Sequence, residues 1–292
     1  MYDSTCPFHR NSWNCIKNQR ENMGRINSWK WVPESCDLNR VDPAGFLNLM
    51  RNKNIGFVGD SLNENFLVSF LCILRVADAG AKKWKRKGAW RGAYFPKFNV
   101  TVGYHRAVLL AKYEWQTKQP ELAGQNGVKG IYRVDVDIPA DDWANIADFY
   151  SVLVFNTGHW WGYDKFPKET PLVFFKGGRP IHPPLEMSDG LKVVVQNMVA
   201  HIEKVFPKRY SSSGGYSHQG TFMVASGIRT EVACLISLLK KFRADAHPAT
   251  WLGKKDAVAV WGQDCMHWCL PGVPDTWVDI LTQLITYNLE MG

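Results

Sequence analysis

The chain has 292 residues, 46% of them hydrophobic, enough for one large α/β domain or two small ones around a sizeable core. A net charge of +8 favours an anionic partner, either nucleic acid or acidic polysaccharide. The sequence has no zinc finger and no aromatic RNA-binding strand, which sets the common nucleic-acid readers aside. It has no run of about 18 apolar residues, so no transmembrane helix is expected.

Residues 1–52 are rich in turn formers and hold Cys6, Cys15 and Cys36, with Trp29, Trp31 and Pro33. A segment of this kind cannot build much core alone, so cross-links would hold it. A zinc site is the competing reading, but no CxxC pair has a matching second pair. Disulfides, and with them the lumen of the secretory pathway, are therefore expected. Cys72, Cys234, Cys265 and Cys269 bring the count to seven, leaving at least one thiol without a partner in the chain. Met1 leads straight into Tyr2-Asp3-Ser4-Thr5-Cys6 without a signal peptide, so the chain is expected to be part of a longer one.

Asn54–Val58 reads as a short buried strand that stops at Gly59-Asp60-Ser61. Leu62–Val76 reads as a helix, with Leu62, Phe66, Phe70 and Ile73/Leu74 at helical spacing. The basic run Lys82–Lys87 reads as a solvated loop. Asn99–Tyr104 alternates like a strand, and Asn99-Val100-Thr101 matches an N-glycosylation sequon. Ser151–Phe155 is a second buried strand, running into Asn156-Thr157-Gly158-His159-Trp160-Trp161. Leu191–Phe206 has helical periodicity and ends at Pro207. Ser211–Gly215 reads as a flexible loop. Val258–Trp261 is a third buried strand, and Pro274–Leu289 a closing helix with proline in its first turn. Strands alternating with helices predict an α/β fold around a mostly parallel sheet, with the site beyond the carboxyl ends of the strands.

Three strand ends carry reactive side chains. Ser61 sits where a strand turns into a helix, so its hydroxyl can face a cleft beside the first N–H groups of the helix. The stretch Gly262-Gln263-Asp264-Cys265-Met266-His267-Trp268-Cys269-Leu270-Pro271-Gly272 places an acid three residues before a histidine. Nucleophile, base and orienting carboxylate are what activation of a serine oxygen requires. Asn156 is a candidate second oxyanion donor beside the Ser61 N–H. Trp160, Trp161 and Trp268 are candidate sugar platforms. The competing readings are a helix-capping Gly-Asp-Ser turn, a metal-ligating His267 joined by His159, a turn asparagine and core tryptophans.

These residues resemble the plant trichome birefringence-like proteins, of the PC-esterase group within the GDSL/SGNH superfamily. Tyr2-Asp3-x-x-Cys6-Pro7-Phe8, Cys15 and Trp29-Lys30-Trp31-x-Pro33-x-x-Cys36 are similar to that family's N-terminal cysteine-rich domain. Phe57-Val58-Gly59-Asp60-Ser61-Leu62 is similar to its nucleophile block. Asp264-Cys265-x-His267-Trp268-Cys269-Leu270-Pro271-Gly272-x-Pro274-Asp275-Thr276-Trp277 is similar to its C-terminal block. The resemblance covers residues 1–206 and 242–290 and implies an SGNH-like three-layer fold, with a cysteine-rich cap at 1–52 and a catalytic domain at 53–292. It implies Ser61, Asp264 and His267 as a catalytic triad, and Cys6–Cys72 and Cys15–Cys269 as disulfides. It also implies transfer of an acetyl group, through acetyl-serine, to a cell-wall polysaccharide such as xylan, and the positive charge of the chain would suit an acidic acceptor. No metal or nucleotide cofactor is implied.

The family's Golgi setting implies a lumenal enzyme whose full-length form carries a membrane anchor. The chain departs from the family at residues 207–241, where an expected Arg-Thr…Ser-Pro…His-Phe run is replaced and Cys265 is left with only Cys234 as a possible partner. The cysteine expected to pair with Cys36 is missing as well. A carbohydrate acetyl esterase with the same triad is one alternative. A non-catalytic wall-polysaccharide binding protein is another.

Overall fold

The computed structural model describes residues 2–29, 32, 37–85, 91–117, 127–205, 221–224, 246–248, 264 and 266–290. In chain order its main elements begin with α1 (Met23–Asn27), α2 (Pro43–Leu49), β1 (Asn54–Gly59), α3 (Ser61–Leu74), β2 (Lys82–Lys85), β3 (Arg91–Phe95), β4 (Val100–Arg106) and β5 (Ala111–Thr117). They continue with β6 (Gly130–Pro139), α4 (Asp141–Ala144), β7 (Val152–Asn156), β8 (Leu172–Lys176), β9 (Arg179–Pro180), α5 (Met187–Val205), β10 (Thr221–Val224) and α6 (Val273–Glu290). The class is the expected α/β. The expected strand at 258–261, the loop at 211–215 and Cys36, Cys234 and Cys265 lie outside the described residues. No helix among the described residues is long and apolar enough to cross a membrane.

The chain forms two compact units. The first comprises Met1–Phe57, Ser61–Tyr104 and Gly227–Gly292, and the second Val58–Asp60 and His105–Ser226. The N-terminal segment thus shares a unit with Ser61, Asp264 and His267.

In the first unit, β1 is followed across the sheet by β4, β3 and β2, the last three antiparallel. The basic run is therefore not a loop but begins as edge strand β2. Its exposed Lys82 and Lys83 blunt that edge against pairing with another chain. Helix α3 packs against α2 and α6. Phe46, Phe57, Phe66, Phe70 and Trp277 interlock around it, with ring centroids 5.3–5.8 Å apart. From Asn63 to Cys72 the helix is buried on every side, polar residues included, while Leu62 and Ile73, expected on its apolar face, are only half-buried. A helix enclosed all round must satisfy its polar side chains within the protein.

One such contact joins the N-terminus to α3 and α6. The Tyr2 hydroxyl and the Ser69 hydroxyl both donate to Asp275 Oδ1, at 2.8 and 2.6 Å. Burial pushes the Asp275 carboxyl up to about 6, against the donors Ser69 and Tyr2 and the charge of Arg40. Asp279, one turn further along α6, is paired with Arg40 at 3.3 Å. The folded Asp275 thus holds its proton at a higher pH than the unfolded one, whose pKa is about 3.9. The stabilisation from protonated Asp275 is complete below pH of about 4 and is lost as the pH rises through about 6. The melting temperature is expected to rise by roughly 2–3 °C between pH 7 and pH 5. Scanning calorimetry of Asp275→Asn at the two pH values should find this rise largely removed; an unchanged rise would assign it to other groups.

In the second unit, β7 and β10 pair in parallel, and β5, β6, β8 and β9 form a sheet in that order. Within that sheet β6 and β8 are parallel, while β5–β6 and β8–β9 are antiparallel. Helix α5 starts four residues before the expected Leu191, so Ser188-Asp189-Gly190 is helical as well. A Cβ on Gly190 would lie 2.1 Å from the Phe174 ring, so glycine lets the helix lie close against β8. Close tertiary packing outweighs the weak helix propensity of that tripeptide.

Candidate active site

Ser61 is the first residue of α3 and is half-buried. The turn before it is tightly specified. Gly59 has φ +153°, and a Cβ there would come within 1.8 Å of the Asn156 carbonyl oxygen, so only glycine fits. The Asp60 N–H donates to that same carbonyl at 3.3 Å. The buried Asp60 carboxylate accepts the N–H groups of Gly158 and His159 at 3.2 and 3.1 Å. Asp60 therefore binds the loop after β7 to the end of β1, and Asn156 stands beside the residue that precedes Ser61.

Asp264 and His267 meet directly. The His267 ring nitrogen Nδ1 lies 2.8 Å from Asp264 Oδ2, while Asp264 Oδ1 accepts the N–H groups of Met266 and His267 at 3.0 and 2.9 Å. Burial raises the pKa of this carboxyl, but donation from the His267 side chain, its backbone and the Met266 amide outweighs burial and brings it down to about 2. An ionised carboxylate can only accept, so Nδ1 carries the hydrogen and donates it. In the neutral imidazole, Nε2 is then the basic nitrogen. The pair can orient and activate a base.

The link between this pair and the nucleophile helix is Asn65. Its side-chain N–H donates to the Trp268 carbonyl at 3.1 Å and its Oδ1 accepts the Trp268 N–H at 3.0 Å. Asn65 lies one helical turn after Ser61 and so on the same face of α3. A side-chain amide that satisfies both backbone groups of the residue after His267 fixes the histidine loop beside the first turn of α3.

The N-terminal segment walls the same loop. The fully buried Trp13 ring lies 4.9 Å from the His267 ring at 32°, and the Trp13 carbonyl accepts the Leu270 N–H at 2.9 Å. The Arg10 guanidinium lies 5.0 Å from the Trp13 ring centre and is hydrogen-bonded to both oxygens of the buried Glu64, three residues after Ser61. Disulfides join Cys6 to Cys72, near the end of α3, and Cys15 to Cys269, two residues past His267. On the remaining side, His247 donates from Nδ1 to the His267 carbonyl at 2.7 Å and stacks on Trp268 at 3.9 Å.

The tryptophans differ in their surroundings. Trp268 is held between His247 and an edge-on Trp277. Trp161 stacks parallel on Phe174 at 6.2 Å, and its indole N–H donates to Thr157 Oγ1 at 3.1 Å. Trp160 is partly exposed beneath Arg106, 5.2 Å from the ring centre.

Asn65, Trp13, Arg10, Glu64 and His247 were not singled out from the sequence. For Asn65 and Glu64 a signal existed, because Asn63-Glu64-Asn65 is a polar patch in an otherwise apolar helix one turn past the serine. Trp13 and His247 lie far from the motifs in sequence and carry no such mark.

Comparison with known proteins defines the class. Residues 38–214 and 215–284 match PC-Esterase, the GDSL/SGNH-like acyl-esterase family found in Pmr5 and Cas1p, and residues 1–37 match the PMR5 N-terminal domain. The chain belongs to the PC-esterase family, and within it to the trichome birefringence-like proteins. It is 56% identical to Arabidopsis thaliana trichome birefringence-like 12, over 99% of this chain and 82% of that protein. It is 40% identical to trichome birefringence-like 13 of the same plant, over 96% of this chain and 78% of that protein. With trichome birefringence-like 1 the identity is 30%, over 98% of this chain and 58% of that protein.

Proposed function

We propose that the chain is a serine-dependent O-acetyltransferase acting on a plant cell-wall polysaccharide. The observation that carries this reading is the Asn65–Trp268 double hydrogen bond, which sets the Asp264-oriented imidazole beside the helix turn that begins with Ser61. His267 Nε2 takes the Ser61 hydroxyl proton as Oγ attacks the acetyl carbonyl of a donor. The developing oxyanion is held by the Ser61 N–H, at the positive end of α3, and by Asn156. The imidazolium then passes its proton to the departing donor group, leaving acetyl-Ser61. A sugar hydroxyl loses its proton to Nε2 and attacks the acetyl-serine, and that proton returns to Ser61 Oγ as the acetylated sugar leaves. Asp264 stabilises the imidazolium at both stages. A lumenal Golgi enzyme, anchored in its full-length form, fits the two disulfides and the family.

The family's description as acyl-esterases supports a hydrolytic reading too, in which water replaces the sugar hydroxyl. One experiment addresses both. Intact-mass spectrometry after incubation with 4-nitrophenyl acetate is expected to find one acetyl adduct on the parent chain, mapped to Ser61, and none on Ser61→Ala. An undiminished adduct on Ser61→Ala would remove Ser61 as nucleophile. Added xylo-oligosaccharide should take up the acetyl group; acetate release at the same rate with and without acceptor would assign an esterase.

A further inference from the structure

The second unit carries an aromatic surface that acyl transfer at Ser61 does not use. Tyr113 and Trp115 lie two residues apart on β5 and so on one face of the strand, with 39% and 43% of their surface exposed. Trp115 stands opposite Tyr132 across the β5–β6 ladder, and their ring centres are 5.0 Å apart. Tyr132 lies 6.4 Å from Tyr113 on the same side. Beneath the surface the ring contacts run through the buried Phe166 to the partly exposed Trp160, at 5.1 and 6.3 Å. Two cations meet Trp160: the Arg106 guanidinium at 5.2 Å and, more distantly, the Lys165 ammonium at 6.0 Å from the ring centre, the latter paired with Asp164 at 3.1 Å. The strip ends in the loop whose Gly158 and His159 amides bind Asp60, the residue before Ser61.

The charge of Arg106 reaches Tyr113 as well. It opposes the burial that raises the phenol's pKa, while Asp142 is the acidic group acting on the same ring. Trp115 lies over Gly130, where a Cβ would come within 2.5 Å of the indole, so the ring has a fitted seat and is still 43% exposed.

Strand β5 is the edge of its sheet. Edge strands are ordinarily protected by charge, as Lys82 and Lys83 protect β2 in the first unit. Strand β5 carries exposed Lys112 and Glu114 as well, but they alternate with Tyr113 and Trp115 and so lie on the other face of the strand, and exposed rings with charge at their rim mark a binding surface. Flat rings suit the apolar faces of sugars, and an arginine fork suits a carboxylate.

We infer that the Tyr113–Trp115–Tyr132 face, with Arg106, Lys165 and Trp160, is a docking strip for a polysaccharide chain bearing carboxylates. The net charge of +8 favours that occupant. Its identity as a glycan rests on the acceptor reading above, so the test is made in the Ser61→Ala chain, where no turnover contributes.

Affinity electrophoresis would compare glucuronoxylan with the same polymer after chemical reduction of its carboxyl groups. Trp115→Ala should weaken binding to both polymers by about 3- to 10-fold. Trp115→Phe, which keeps a ring over Gly130, should retain most of the affinity and guards against misfolding. Arg106→Gln should weaken binding of the native polymer about 10-fold and leave the reduced one unchanged. Parent-like binding by a folded Trp115→Ala would overturn the strip. So would tighter binding of single-stranded polyuridylate than of glucuronoxylan, or a dimer that Trp115→Ala dissociates. None of these results bears on whether Ser61 forms an acetyl adduct, so the two readings fail separately.

Discussion

Replacing Asp264 with Asn is expected to lower kcat for acetyl transfer by about 10³- to 10⁴-fold, with a lower melting temperature because the carboxylate's contribution to stability goes with it but with the fold retained. The asparagine keeps an Oδ1 to accept the Met266 and His267 amides, so the turn survives. Opposite the imidazole, however, it presents an N–H where the carboxylate presented an acceptor. Nδ1 must then accept, and the proton moves to Nε2, the atom that has to receive the proton of Ser61. The base is present in the wrong tautomer. Asp264→Ala should lose activity to a similar degree and lower the melting temperature further, because it removes the acceptor of two backbone amides. Because the Asp264 carboxyl is held at about 2, its own contribution to stability is present above pH of about 4 and is lost only as the pH falls toward 2. Activity changes between pH 5 and 8 therefore arise elsewhere than in Asp264. Steady-state rates with an acetyl donor and xylo-oligosaccharide, beside circular dichroism, would check this. A folded Asp264→Asn enzyme with unimpaired kcat would mean that the pair is not a catalytic base assembly.

Much of this pair was legible in the sequence because its spacing is local. An acid and a histidine three residues apart need only one turn to meet, and a single loop provides it. The nucleophile block was legible for a related reason: an apolar run ending in Gly-Asp-Ser predicts a strand that turns sharply into a helix, and Gly59, with no room for a Cβ, is what such a turn demands. What remained hidden is held by long-range contact. Nothing in the spelling of Arg10 to Trp13 indicates that the indole packs on a histidine some 250 positions away. Helical periodicity predicted one apolar face for α3, but the helix is enclosed on all sides, and Asn65 and Ser69 became structural links because no water reaches them. The basic run at 82 was misread for the opposite reason. Lysines read as solvated are indeed exposed, but exposure does not distinguish a loop from the outer strand of a sheet.

The largest effect on stability is expected from removing the Cys15–Cys269 disulfide. The cross-link spans 254 residues of chain, so its loss restores much conformational freedom to the unfolded state. For Cys15→Ser combined with Cys269→Ser, a cost of about 2–5 kcal/mol is expected. That corresponds to a drop in melting temperature of roughly 3–10 °C. The Cys6–Cys72 bond closes a span of 66 residues and should cost somewhat less when Cys6→Ser is combined with Cys72→Ser. Activity should separate the two pairs more sharply than stability does. Cys269 is fully buried two residues from His267, in a loop also held by Asn65, the Trp13 and Ala246 carbonyls and His247. Without the cross-link, small displacements of the imidazole relative to α3 become accessible, and a shift near 1 Å can cost about 10²-fold in rate. Cys72 lies three turns beyond Ser61 on a helix buried from Asn63 to Cys72, so its loss leaves the first turn of α3 in place. Measured well below both melting temperatures, kcat should fall at least about 10-fold in the Cys15/Cys269 variant and by less than about 3-fold in the Cys6/Cys72 variant. Equal losses in the two would mean that the disulfide beside the histidine loop serves stability alone and that the hydrogen bonds to Trp268 suffice to place the base.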